Sequence, residues 1–194
     1  MPEITLYRFN DNVKVNYTGR KVVLPSQYAA DCETHWLSLM KAGRKHFRGD
    51  VFTVSEEVIG SDGIVLSAEL TDYAHFIYTI HRRSFGRYDC RIIYASTLIV
   101  TSDGKFVIGI MAQDTFAPGK LQLVGGGVDK GDIAGHQIDL NRCIKKEIAE
   151  EVGIDAGNTS VVKSFEPYLL KTGGPSNFYS AIFRLDLTAD ENGL

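Results

Sequence analysis

The sequence predicts an α+β fold with a mixed sheet, because strands and helices follow one another in blocks rather than in strict alternation. The longest apolar run, over 92–100, indicates a buried strand. The segment after Asp139 has the period of a helix with one apolar face. At 194 residues, the chain has room for one large domain or two small ones.

The composition excludes several classes of protein. There are 21 Lys and Arg against 24 Asp and Glu, so bulk charge favours neither nucleic acid nor an anionic membrane as a partner. No apolar run approaches the roughly 18 residues of a membrane span, and the first residues lack the pattern of a signal peptide. The cysteines have neither a disulfide-framework pattern nor C-x-x-C spacing. We therefore expect a cytoplasmic protein.

Residues 1–88 are expected to form a smaller N-terminal α+β region. The predicted elements are strands at Ile4–Arg8, Val13–Tyr17, Val51–Val54 and Ile64–Leu70, and helices at Ser26–Ala42 and Tyr73–Ile80. Ser26 and Thr71 are expected to cap the two helices, and Gly43 to end the first. His75 and His81 are interpreted as packing or surface residues rather than ligands.

A basic stretch precedes the apolar strand. Its arginines are Arg82, Arg83 and Arg87. They either face water or hold a diphosphate, and Arg87 is retained as a candidate substrate-binding residue.

The elements that follow lead to a glycine-rich turn. A hairpin turn at 102–104 is expected to join the apolar strand to a return strand, and Gly125–Gly127 to form a turn before the carboxylate helix. The other predicted strands are Lys105–Met111, Leu121–Val124, Val161–Leu170 and Phe178–Leu187. The loop 171–177 is long enough to reach over a ligand, with Lys171 and Asn177 as candidate contacts.

Three carboxylates lie on or beside the apolar side of the predicted helix. At about 100° per residue, Glu147 and Glu151 fall within the apolar arc and Glu150 lies at its edge. Acids on a solvated face would lie opposite that arc. Carboxylates directed toward a core need partners, and a divalent cation is one. The alternative is pairing with Arg142, Lys145 and Lys146.

The glycines extend this hypothesis. Gly125–Gly127 allow close backbone approach and can supply a carbonyl ligand, at Gly126, or amide donors to an anion. Magnesium prefers carboxylates, water and substrate phosphates as ligands. The combination suggests metal-assisted attack on a phosphate ester or anhydride.

These residues resemble the Nudix box, G-x5-E-x7-R-E-U-x-E-E-x-G-U, where U is a bulky aliphatic residue. The second half matches as Lys146–Ile154, K-E-I-A-E-E-V-G-I, and the first half maps onto the segment from Gly126 to Asp132. Asp132 stands where the family has Glu, and Lys146 where it has Arg. The spacer 133–145 is six residues longer than the seven-residue spacer of the family pattern. Its extra residues are expected to lengthen the loop before the helix.

The resemblance implies a Nudix α/β/α sandwich with a mixed sheet over 89–194, and hydrolysis that depends on Mg²⁺, with Mn²⁺ as an alternative ion. By position, the residues that the family uses at the metal are Glu147, Glu150 and Glu151. Glu147 is alternatively the base that activates water. A carbonyl near Gly126 or Gly127 completes the metal site, and Lys146 replaces the arginine that braces the glutamates.

The region before the box and the motif L-T-D-Y-A-H-F resemble, loosely, the UDP-glucose pyrophosphatase-like Nudix branch. This implies a small-molecule substrate, a nucleotide sugar or ADP-ribose, cleaved to a nucleoside monophosphate and a sugar phosphate. The alternative is a binding or regulatory module with little turnover, which the altered start of the box favours. A third alternative, a Nudix-like isomerase of prenyl diphosphates, lacks support because no cysteine of this chain lies in a suitable catalytic context. A homodimer stays open.

The sequence ends soon after Leu187. The resemblance therefore leaves open a Nudix domain that is truncated at its C-terminus. Asp190 or Glu191 is either an additional catalytic acid or part of a frayed tail.

Overall fold

The computed structural model describes residues 2–10, 12–82, 86–113, 115 and 117–190, which form three helices and thirteen strands. The strands are β1 (Thr5–Arg8), β2 (Val13–Lys21), β3 (Asp50–Gly60), β4 (Gly63–Asp72), β5 (Ile93–Val100), β6 (Phe106–Val107), β7 (Gly109–Ile110), β8 (Leu121–Gln122), β9 (Val124–Gly127), β10 (Ile133–Ala134), β11 (Gln137–Ile138), β12 (Val162–Thr172) and β13 (Tyr179–Leu187). The helices are α1 (Ser26–Lys41), α2 (Tyr73–Arg82) and α3 (Leu140–Val152).

Two mixed sheets organise the fold. The first has the order β1-β12-β13-β5-β6, and β9 also pairs with β5. Its one parallel pair among the described strands is β13 with β5. The second has the order β10-β11-β2-β4-β3, with β2 parallel to β4. The predicted α+β class with a mixed sheet is confirmed. No helix in the described part of the chain is long and apolar enough to cross a membrane.

The two sheets share one apolar core with α3. Leu66 and Ala68 from the second sheet belong to the same buried cluster as Ile148 and Leu185. In addition, β1 from the start of the chain pairs with β12 near its end. Strand pairing and packing therefore cross the boundary that the sequence places near residue 88.

Local sequence explains the position of α3. The Asp139 side chain accepts a hydrogen bond from the Arg142 amide at 2.9 Å, and Gly153 ends the helix in the left-handed conformation, with φ of 69°. The buried residues of the helix are Leu140, Cys143, Ile144 and Ile148, all from the predicted apolar arc. This face anchors the helix that carries the glutamates.

The other two helices begin differently from the prediction. Helix α1 starts at Ser26 after Pro25, and no side chain caps it. At α2 the Asp72 carboxylate, rather than Thr71, accepts from the His75 amide at 3.0 Å. Pro25 is the N-cap residue of α1, and its carbonyl accepts from the Ala29 amide at 2.9 Å.

His75 is a buried packing residue, as predicted. Its Nε2 lies 2.7 Å from the Tyr88 carbonyl oxygen, and its Nδ1 lies 2.9 Å from the Thr71 hydroxyl. Because a carbonyl only accepts, Nε2 carries the proton and Nδ1 accepts from Thr71. Burial lowers the pKa of His75, so the neutral ring satisfies both partners.

The predicted triple-glycine turn is wrong: Gly125–Gly127 belong to strand β9. Their backbone pairs antiparallel with β5, with Gly126 opposite Ala95 and Gly127 opposite Tyr94. Gly125 has a φ of 150°, and a Cβ atom there would lie 2.2 Å from the Ala95 carbonyl oxygen. Glycine is needed at that position because the neighbouring strand lies too close for a side chain.

Two predicted strands are each divided. The return strand Lys105–Met111 becomes β6, which pairs with β5, and β7, which turns away to pair with β8. The strand Leu121–Val124 becomes β8 and the start of β9. The strands Val161–Leu170 and Phe178–Leu187 are confirmed with small shifts as β12 and β13.

The extra residues of the spacer form structure of their own. Instead of only lengthening a loop, they fold into the hairpin β10–β11, in which Ile133 pairs with Ile138. Gln137 then pairs with Asn16 of β2, and the Tyr17 amide donates to the His136 carbonyl at 2.8 Å. The insertion therefore joins the start of α3 to the second sheet.

Candidate functional site

Glu147 and Glu151 both contact the glycine strand β9. The Gly125 amide donates a hydrogen bond to the Glu151 carboxylate at 3.0 Å. The Glu147 carboxylate occupies the space beside Gly126, where a Cβ atom would lie 2.5 Å from its Oε2. The helix and the strand thus bring together the carboxylates and the glycines that the sequence singled out.

Glu147 lies close to one cation and several carboxylates. Its side chain is 16% exposed, and Lys146 Nζ is 4.0 Å away. Burial raises the pKa of Glu147; Lys146 opposes this, and the charges of Glu150 and Glu151 add to it. A cation beside this carboxylate would offset both the burial and the repulsion.

Glu150 and Glu151 are exposed on α3, although the arc placed Glu151 near its middle. Among the described residues, no group of three or more His, Cys, Asp or Glu is arranged to hold a metal ion. The donor types nevertheless fit magnesium, which prefers oxygen ligands. The Glu147 carboxylate lies against the Gly126 backbone, in space that a Cβ atom at position 126 would fill. Glu147, Glu150, Glu151 and the Gly126 carbonyl are the groups that would hold such an ion.

Lys146 is held mainly by two aspartates. Its Nζ lies 2.5 Å from Asp129 and 3.5 Å from the buried Asp132. Asp132 also accepts from the Asp129 amide at 2.9 Å, within a reciprocal capping box around the 3-10 turn Lys130–Asp132. Sequence reasoning missed Asp129, although its D-x-x-D spacing with Asp132 matches a capping box.

Burial disfavours the Lys146 charge, but the hydrogen bond that Lys146 donates to Asp129 and the charge of Asp132 outweigh burial and raise the pKa of Lys146. We expect Lys146→Met to reduce the free energy of unfolding by about 2 kcal/mol, because it leaves the Asp132 carboxylate buried without its cation. Urea denaturation at pH 7 measures this change, with Lys45→Met, at an exposed lysine after α1, as the control. An unchanged urea midpoint in Lys146→Met would exclude a stabilising role for the ion pair between Lys146 and Asp132.

The difference in stability between wild type and Lys146→Met is expected to depend on pH. The hydrogen bond from Lys146 lowers the pKa of Asp129. A carboxyl with a lowered folded pKa stabilises above its unfolded value, about 3.9, and loses that contribution as the pH falls through the folded pKa. The stability gap between wild type and Lys146→Met should therefore narrow below about pH 4.

The described arginines of the basic stretch contact acidic and aromatic side chains close to them in sequence. Arg82 pairs with Asp89 at 3.2 Å. The guanidinium of Arg87, a candidate substrate-binding residue, lies 5.8 Å from the Tyr88 ring centre. Arg83 and the tail residue Glu191 lie outside the described residues. Contact of Arg87 with substrate stays a prediction.

A cavity of about 560 Å³ lies on the face of the first sheet that is opposite Glu147. Along β5, Tyr94 and Ser96 line the cavity, whereas Ala95 between them is buried beside Gly126. Other residues that line it are Tyr73, Phe178, Ser180, Lys171 and the three glycines. The glycine strand therefore separates the carboxylates from the cavity.

Sequence reasoning missed most of this cavity. Tyr94 and Ser96 lie two positions apart in the run 92–100, with Ala95 between them, and this spacing places both polar groups on one face of the strand. The Ser96 and Ser180 hydroxyl groups lie 3.0 Å apart and form a buried pair. Lys171, a predicted ligand contact, lines the cavity.

A scan against protein-family models and a search of curated proteins found no match for this chain.

Proposed function

We propose that this protein is a Mg²⁺-dependent Nudix pyrophosphohydrolase that cleaves the diphosphate of a nucleoside diphosphate derivative. The observation that carries the proposal is the contact of Glu147 and Glu151 with the glycine strand that also lines the cavity. Among the described strands, β9 pairs only with β5, so its other edge is open. A diphosphate at that open edge would meet the carboxylates on one face, and the group attached to it would enter the cavity on the other. The preferred substrates are a nucleotide sugar or ADP-ribose, cleaved to a nucleoside monophosphate and a sugar phosphate.

The reaction requires little covalent chemistry from the protein. The oxygen of a water molecule bonds to one phosphorus, the bridging P–O bond breaks, and each product keeps one phosphate. When bound, Mg²⁺ neutralises phosphate charge and acidifies water. Glu147 would bind the ion or, as the alternative, accept the proton that the attacking water releases. Lys146 pairs with Asp129 and Asp132, and its Nζ lies 4.0 Å from Glu147.

The fold is consistent with a Nudix-like sandwich in which residues 89–190 supply α3 and most of the sheet, and α1 and α2 supply the helices on the other side. Helix α3 packs on one face of the first sheet. On the cavity side, Phe76 of α2 contacts Phe178, with ring centres 5.7 Å apart, and belongs to a second apolar cluster with Trp36 of α1. A mixed sheet between helices supports this assignment.

Incubation of the purified protein with Mg²⁺ and a panel of substrates tests the proposal. The panel contains nucleotide sugars, ADP-ribose, dinucleoside polyphosphates and NADH, with products separated by ion-exchange chromatography. We expect a monophosphate and a sugar phosphate from at least one nucleotide sugar or ADP-ribose, and no product in EDTA. Tight binding without product from any substrate would instead support a nucleotide-binding module.

A further inference from the structure

We propose that Lys171 selects the ligand by donating to an oxygen acceptor, so that the cavity prefers nucleobases with an exocyclic keto group over those with an amino group at the same position. Uracil and hypoxanthine carry such an oxygen, whereas cytosine and adenine carry an amino group. The inference rests on the proposed function only for the class of ligand, a nucleoside diphosphate.

The sheet register places Lys171 at the far end of the cavity from the glycines. Lys171 is paired with Ser180, Ser180 with Tyr94, and Tyr94 with Gly127. Directly paired residues point to the same face of a sheet, and all four line the cavity. Adjacent strands are about 4.8 Å apart, so the backbones of Lys171 and Gly127 are about 14 Å apart. A nucleoside diphosphate with its phosphates at Gly127 can extend toward Lys171.

Lys171 brings a half-buried cation to this end of the cavity. Its Nζ donates to the Gly173 carbonyl at 2.6 Å. The described residues that line the cavity include no carboxylate and no other cation. Burial lowers the pKa of Lys171, and an ammonium group has three donors. An acceptor oxygen on the ligand would engage a remaining donor and offset the burial of the charge.

Aromatic side chains between the two ends suit a planar ring. Tyr94 and Phe178 line the cavity with ring centres 6.3 Å apart in an edge-to-face arrangement. The Ser96–Ser180 hydroxyl pair lies beside them. A nucleobase can therefore contact aromatic rings while one edge faces Lys171. An amino group at that edge would place donor against donor and leave the ammonium unpaired.

Calorimetric titration of the full chain in EDTA tests this without turnover. The probes are two matched pairs: uridine against cytidine diphosphate, and inosine against adenosine diphosphate. We expect the keto member of each pair to bind at least about tenfold more tightly. Lys171→Met should remove the preference, Lys171→Arg should retain part of it, and Lys163→Met, an exposed lysine of the same strand, should leave it unchanged. Thermal melting confirms that each variant is folded.

Equal affinity within both pairs, or no binding of any probe, would overturn the inference. A preference that survives in folded Lys171→Met would overturn the role of Lys171. The proposed function can fail separately from this inference. A keto preference in a protein that hydrolyses no substrate would support the inference and contradict the proposed hydrolase. Hydrolysis without a base preference would support the hydrolase and contradict the inference.

Discussion

Glu151→Gln is expected to lower the rate of the proposed hydrolysis by roughly 100- to 1,000-fold while leaving the fold intact. Glutamine keeps an oxygen that can accept from the Gly125 amide, so the contact between α3 and β9 is preserved. What is lost is the negative charge of a proposed Mg²⁺ ligand. Initial rates at saturating substrate, together with a thermal melt, separate the loss of chemistry from loss of structure.

Glu56→Gln is the matched control, since Glu56 is an exposed glutamate on β3. It removes the same charge from the chain and should leave the rate unchanged. A Glu151→Gln protein with wild-type activity would exclude this carboxylate from the site. Equal losses in both variants would indicate an effect of net charge rather than of the site.

Gly125→Ala is expected to reduce the free energy of unfolding by roughly 3 kcal/mol. Two causes act together: the φ of 150° is unfavourable for any residue with a side chain, and the new Cβ atom would lie 2.2 Å from the Ala95 carbonyl oxygen. For a chain of this size we expect the melting temperature to fall by about 6–12 °C. Differential scanning calorimetry measures the change.

Gly127→Ala, two residues along the same strand, is the control. Its backbone φ is ordinary, and no atom lies within 4 Å of the new Cβ position, so its melting temperature should stay close to that of wild type. If the two variants melted alike, close approach between β9 and β5 would not be the reason for glycine at position 125.

The helix with the glutamates could be predicted because its signals are local. The Asp139 cap, the apolar spacing and Gly153 all lie within a few turns of one another. The glycines were misinterpreted because their conformation depends on β5, whose residues lie some thirty positions earlier in the sequence. Glycine composition predicts a turn when considered alone, but a distant strand can supply hydrogen bonds that a turn would not make.

The cavity was harder to predict than the glycine strand, because it is formed by strands that lie far apart in the sequence. Lys171, Ser180, Tyr94 and Gly127 belong to four different strands, and only their register brings them onto one face. Similarly, the substitution of Asp132 for glutamate was visible in the sequence, but the nearest partner of Lys146 is Asp129. A one-dimensional pattern gives the spacing within one element, whereas side-chain partners across elements follow from packing.

The hairpin β10–β11 has a consequence for folding cooperativity. It pairs with β2 at Gln137, at one edge of the second sheet, and continues into α3, while β1 pairs with β12 at an edge of the first sheet. Each half of the chain therefore adds an edge to a sheet that the other half mainly forms. Separation of the two halves would expose unpaired strand edges on both. We expect the whole fold to unfold in a single transition, so that a mutation in either sheet changes the stability of the glutamate helix as well.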